Sequence, residues 1–166
     1  MNNIVLIGMP GCGKSTVGVV LAKRLGMDFT DSDLLIQKKY KETLSSIIDN
    51  KGLKEFLRIE DEVNGEIETD NTVIATGGSV VYGKNAMEHL KSIGTVVYLK
   101  LDYNVIKSRL GDLKKRGVAM EKGMSLQDLY TERTPLYEKY ADITVECNRK
   151  QIRQIVEMLA LHFEEQ

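Results

Sequence analysis

The sequence predicts a three-layer α/β fold, in which a mostly parallel sheet carries helices on both faces. Three observations lead there. Short apolar, β-branched runs alternate with amphipathic stretches along the chain. The first run, Asn3–Ile7, feeds straight into GMPGCGKST at residues 8–16 and then into a helical pattern. With 42% of its 166 residues apolar, the chain can build one core, so a single domain over residues 1–166 is expected.

Taken in order, Asn3–Ile7 reads as a buried strand. Ser15–Leu25 reads as a helix with Val17, Val20, Leu21 and Leu25 on one side. Asp28–Asp31 is a second strand, followed by helical patterns at Leu34–Tyr40, Leu44–Asp49 and the charge-rich Leu53–Glu68. Thr72–Thr76 is again strand-like and ends in the turn Gly77–Gly78, and Asn85–Leu90 is helical. Thr95–Leu101 is a strand, with Asp102 placed to cap a helix over Tyr103–Leu110. Residues 111–124, GDLKKRGVAMEKGM, interrupt the pattern with three glycines, four basic residues and little apolar period, which marks a mobile loop. Ser125 is placed as the N-cap of a helix towards Tyr140. Ile143–Glu146 forms a last strand, and Asn148 is placed as the cap of a helix with Ile152, Ile155, Val156 and Leu159 at i, i+3, i+4 and i+7.

Gly8-x-x-x-x-Gly13-Lys14-Ser15 fits a phosphate-binding loop, and its place between strand and helix is what the mechanism requires. Glycines let the backbone turn its N–H groups towards phosphate oxygens, and the following helix adds its positive end. Lys14 then reaches the β- and γ-phosphates, and the Ser15 hydroxyl ligates Mg²⁺. Cys12 is a small residue of the loop. Eighteen residues after Ser15 comes Asp33, in TDSDLL (30–35), at the end of the second strand. Ligands of open α/β sheets collect at the carboxyl ends of strands, so this tip should face the loop. Asp31 is placed to hold a Mg²⁺-bound water while Asp33 takes the proton of an attacking hydroxyl. Helix capping by Asp31 or Ser32 is the structural alternative.

A GTP-driven switch needs Asn-Lys-x-Asp after a late strand. The only Asn-Lys pair, Asn50–Lys51, continues Gly52–Leu53 and lies too early. A small-molecule kinase explains more of the chain, with a non-catalytic nucleotide-binding module as the alternative. A net charge of −1, with 28% of residues charged in both signs, gives no reason to expect nucleic-acid or membrane partners. Two cysteines without a pairing or metal-binding pattern, no signal-peptide pattern and no long apolar run point to the cytoplasm.

The strings GMPGCGKSTVG, FTDSDLL, VIATGGSVV and ERTPLYEKYAD (132–142) together resemble the shikimate kinase family over nearly the whole chain. The last string is the most specific, since P-loop chemistry alone does not demand it. The resemblance implies a five-stranded parallel sheet in the order 2-3-1-4-5, a mobile lid at 111–124, and phosphorylation of shikimate's 3-hydroxyl by ATP in aromatic amino-acid biosynthesis. It further implies that Gly11, Cys12, Gly13, Lys14, Ser15 and Thr16 form the ATP loop. By the same resemblance Ser15 is a magnesium ligand, Asp33 binds the ring hydroxyls and acts as base, and Gly78 offers its N–H to the substrate. Arg133 grips the substrate carboxylate, Arg116 reaches the transferring phosphate from the lid, and Arg109 stacks on adenine. A monomer is expected.

Three departures fall on the acceptor side. Where the family has Phe-Arg-x-x-Glu, this chain has Phe56-Leu57-Arg58-Ile59-Glu60, so Leu57 occupies a carboxylate-binding position. Arg58 is one helical step, about 100°, away and is not expected to replace the missing arginine. Ser79 follows Gly77–Gly78 where a third glycine is usual, and the lid reads Arg116-Gly117-Val118-Ala119 for Arg-Pro-Leu-Leu. The chain therefore reads either as a shikimate kinase with weakened acceptor binding or as a kinase of another small polyol.

Overall fold

Five parallel strands form the sheet of this computed structural model, which is described over residues 2–111 and 117–166. Chain order is β1 (Asn3–Ile7), α1 (Lys14–Leu25), β2 (Asp28–Asp31), α2 (Ser32–Tyr40), α3 (Leu44–Lys51), α4 (Leu53–Gly65), β3 (Thr72–Ala75), α5 (Lys84–Ile93), β4 (Gly94–Lys100), α6 (Tyr103–Arg109), α7 (Leu126–Tyr140), β5 (Ile143–Glu146) and α8 (Ile152–Glu164). The strands lie in the order β2-β3-β1-β4-β5, all neighbours parallel, as expected. Val5 pairs with Ile74 on one side and Val96 on the other. Central strands β1 and β3 are buried along their whole length, which is why they read as unbroken apolar runs rather than as alternations.

One large core packs both faces of the sheet. A smaller one, Ile36, Ile47, Phe56, Ile59 and Val63, joins α2, α3 and α4 and takes in Ala119 from the stretch before α7. This second core holds the helices beside β2 in place.

Three local expectations are corrected. Val20 is 42% exposed, because the buried face of α1 runs through Lys14, Val17, Gly18, Leu21 and Ala22 and leaves Val20 outside that arc. The last helix is capped by Gln151, in a reciprocal box with Gln154, and not by Asn148. After β5 the chain makes a turn, with Lys150 N–H donating to the Cys147 carbonyl and Arg149 at φ 60°. Asn148 instead accepts from the Asp102 N–H at 2.9 Å. Asp102 does precede α6, but its side chain caps nothing. Ser125 caps α7 through a box with Asp128, as its position before the helix predicts.

Truncating Ile59, fully buried in the second core, leaves a cavity between three helices. Ile59→Ala is expected to lower the unfolding free energy by about 2–5 kcal/mol, read from urea denaturation.

Candidate active site

At the carboxyl ends of the strands lies a cavity of about 290 Å³. One side is the loop between β1 and α1. Gly13 enters α1 at φ 97°, a left-handed conformation that a side chain disfavours, so glycine here lets the N–H groups turn inward. Gly11, Gly13, Lys14, Ser15 and Thr16 all line the cavity. Cys12 does not; its N–H donates to the Met9 carbonyl at 3.2 Å and its side chain is 1% exposed beneath the loop. Lys14 Nζ donates to the Gly8 and Met9 carbonyls at 2.7 and 2.9 Å, so the loop itself holds the ammonium.

Asp31, the last residue of β2, caps α2: its Oδ1 accepts from the Asp33 N–H at 2.9 Å. Its Oδ2 accepts from the Ser15 hydroxyl at 2.8 Å. Capping and site assembly are thus the work of one carboxylate. Asp33 lines the same cavity as the loop. Burial, and after it the nearby Asp31 charge, raise the Asp33 carboxyl to about 6 against the pull of Lys14. Its Oδ1 has no hydrogen-bond partner among the described residues.

The turn after β3, α4 and α7 also line the cavity, with Gly78 close against Pro10 of the loop. Gly78 and Arg133 both line the cavity, as the sequence predicts. Arg133 is 1% exposed, donates through Nη2 to the Ala119 carbonyl, and lies over the Tyr82 ring at 5.3 Å. Its guanidinium enters none of the ion pairs among the described residues. One helical turn on, the Tyr137 hydroxyl donates to the Gly78 carbonyl at 2.6 Å and fixes the glycine turn to α7.

Sequence reasoning passed over Glu60 and Tyr137. Glu60 is 2% exposed, lines the cavity, and accepts from the Ser79 hydroxyl at 2.6 Å. Its helical offset from Phe56 was a usable signal, since i and i+4 share a face. Tyr137 stands in the same relation to Arg133. Leu57 does not line the cavity; it packs on the outer side of the second core. Arg58 is turned outward into ion pairs with Glu55 and Glu62, as expected from its angle on the helix. Arg109 donates to the Gly11 carbonyl at 3.4 Å at the rim of the loop, while Arg116 lies outside the described residues. Gly117, Val118 and Ala119, the described residues that follow, lie over the cavity beside Leu44.

A family model described as Shikimate kinase matches residues 10–163. The chain belongs to the shikimate kinase family. A shikimate kinase from Francisella tularensis subsp. novicida is 39% identical over 95% of this chain and 92% of its own length. Among solved structures, the shikimate kinase of Acinetobacter baumannii in complex with shikimate superposes with a TM-score of 0.85 at 31% identity, covering 100% of this chain and 95% of its own. That of Aquifex aeolicus does so at 0.84 and 34%, covering 98% and 96%. As a member of this family the chain is an ATP-dependent kinase with an alcohol acceptor. Among the described residues, no helix is long and apolar enough to cross a membrane.

Burial raises the Glu60 carboxyl from its ordinary value to about 7, so the folded state holds a proton there that the unfolded chain has already lost. The sign follows: Glu60 weakens the fold as pH rises from about 4.5 to 7. Urea melts of Glu60→Gln should therefore show a smaller loss of stability than wild type between pH 5 and pH 8. Parallel curves for the two proteins would contradict the burial argument.

Proposed function

We propose that this chain transfers the γ-phosphoryl group of ATP to the 3-hydroxyl of shikimate, as a step of aromatic amino-acid biosynthesis in the cytoplasm. The observation that carries the acceptor's identity is Arg133. A guanidinium that is 1% exposed and has no carboxylate partner among the described residues is costly unless an anion completes it. A cyclic acid with several hydroxyls supplies that anion at Arg133 and presents its alcohol at Asp33, both of which line the cavity.

In this reading the amides of residues 11–16 hold the phosphates of ATP, and Lys14 exchanges its loop carbonyls for the β- and γ-phosphates. The Ser15 hydroxyl and the Asp31 carboxylate, 2.8 Å apart, would hold Mg²⁺ directly and through water, a donor set suited to a hard cation that keeps part of its hydration shell. When bound, that ion neutralises charge on the phosphate oxygens. Asp33 aligns the hydroxyl and takes its proton; a carboxyl raised to about 6 is ionised near neutral pH yet more basic than an ordinary aspartate. The Gly78 N–H and Arg133 position the rest of the acceptor. Arg109 covers the base of ATP, and the lid over 111–124 brings Arg116 to the transferring phosphate and excludes water.

One observation favours a second reading. Leu57 places no charge in the cavity, so among the described residues the acceptor side holds Arg133 as its one arginine, which suits a less anionic polyol as well. ADP release over a panel of cyclic and linear polyols separates the two: turnover with shikimate alone supports the first, and turnover only with another polyol supports the second. Asp33→Asn is expected to lower kcat by roughly 10²- to 10⁴-fold while ATP affinity stays nearly constant. Leu57→Arg should lower KM for shikimate by about 10- to 150-fold if the new guanidinium reaches the carboxylate.

A further inference from the structure

Two buried carboxyl oxygens close on one point of the cavity. A Cβ on Gly77 would lie 2.5 Å from Asp33 Oδ1 and 2.9 Å from Glu60 Oε2, and both oxygens lack a hydrogen-bond partner among the described residues. Glycine at 77 leaves room for both carboxyls, which a side chain there would displace. Buried acceptors of this kind rarely stay unpaired, so the pair is shaped for donors that arrive with the substrate.

What sets the direction of Glu60 is Ser79. The serine, 5% exposed, donates to Glu60 Oε1 at 2.6 Å, and Oε2 is left without a hydrogen-bond partner among the described residues. Cations of α4 do not compete for it: Arg58 is committed to Glu55 and Glu62 on the outside, and position 57 is an uncharged leucine. Across the cavity, Arg133 and Lys14 act on Glu60 through space only, without an ion pair to it.

We propose that Ser79 is a positioning residue for acceptor specificity: it turns the Glu60 carboxyl so that Glu60 Oε2 and Asp33 Oδ1 each hydrogen-bond to one of two neighbouring hydroxyls of the substrate. The ligand chemistry is a vicinal diol. The hydroxyl on Asp33 is the one that is phosphorylated, and its neighbour on Glu60 sets the ring's rotation. This inference rests on the kinase reading above and adds the feature of the acceptor that is read. A mono-alcohol leaves one buried carboxyl oxygen unpaired and is disfavoured.

The test compares wild type, Ser79→Ala, Glu60→Gln and the double variant, with shikimate and with an analogue that lacks the hydroxyl next to the phosphorylated one. Wild type is expected to prefer shikimate. Ser79→Ala should raise KM for shikimate roughly 3- to 10-fold and narrow the preference over the analogue, with KM for ATP unchanged. In the double variant the serine change should add little to Glu60→Gln, because both act through one carboxyl. Where Ser79→Ala melts far below wild type, Ser79→Gly, which also removes the hydroxyl, carries the same expectation. Unchanged acceptor KM and selectivity, equal rises in both KM values, or fully additive effects would overturn the role of Ser79 while wild-type turnover leaves the kinase reading intact. A wild type inactive on every polyol would overturn both.

Discussion

A single carboxylate, Asp31, joins the two halves of the site. One oxygen accepts from Ser15 at the start of α1, and the other caps α2 at the Asp33 N–H. The base candidate is thereby held in register with the phosphate loop by two short hydrogen bonds and the parallel pairing of β2 with β3. Neither contact depends on a bound molecule. The geometry is set by the fold, which is the condition for catalysis by placement rather than by induced chemistry.

Around that frame the chain buries charges that a purely structural core would avoid. Lys14, Glu60 and Arg133 are each under a tenth exposed, and Asp33 is buried enough for its carboxyl to rise to about 6. Lys14 is compensated by loop carbonyls, and Arg133 by one carbonyl and the Tyr82 ring. Glu60 is compensated by the Ser79 hydroxyl and, through space, by Arg133 and Lys14. Asp33 Oδ1 and Glu60 Oε2 are left without a hydrogen-bond partner among the described residues. In the proposed reading substrate completes the set, and stability given up by burying these groups returns as binding selectivity.

Much of this was legible in the sequence because its signals are local. Strand, glycine loop and helix are contiguous over residues 3–25, and Asp33 follows at the tip of the next strand. Arg133 was carried by the string 132–142, whose helical register also sets Tyr137 on the glycine turn. What escaped is non-local or competitive. Asn148 looked like a cap until the Asp102 N–H claimed its side chain. Val20 looked internal by spacing alone, but the packed face of α1 follows a neighbouring arc. The bond between Ser79 and Glu60 spans nineteen residues, so a pattern along the chain marks each position as unusual without pairing them. Arg116, expected on the lid, lies outside the described residues and remains an expectation from the resemblance.

The central claim is that one cavity brings an alcohol to the terminal phosphorus held by the loop. Phosphorus NMR of the wild-type reaction with ATP and shikimate reads this most directly. The account predicts a new phosphate monoester whose phosphorus couples to the proton on shikimate carbon 3, formed in step with ADP. Inorganic phosphate as the sole new phosphorus signal, or an acyl phosphate on the carboxyl group, would contradict it.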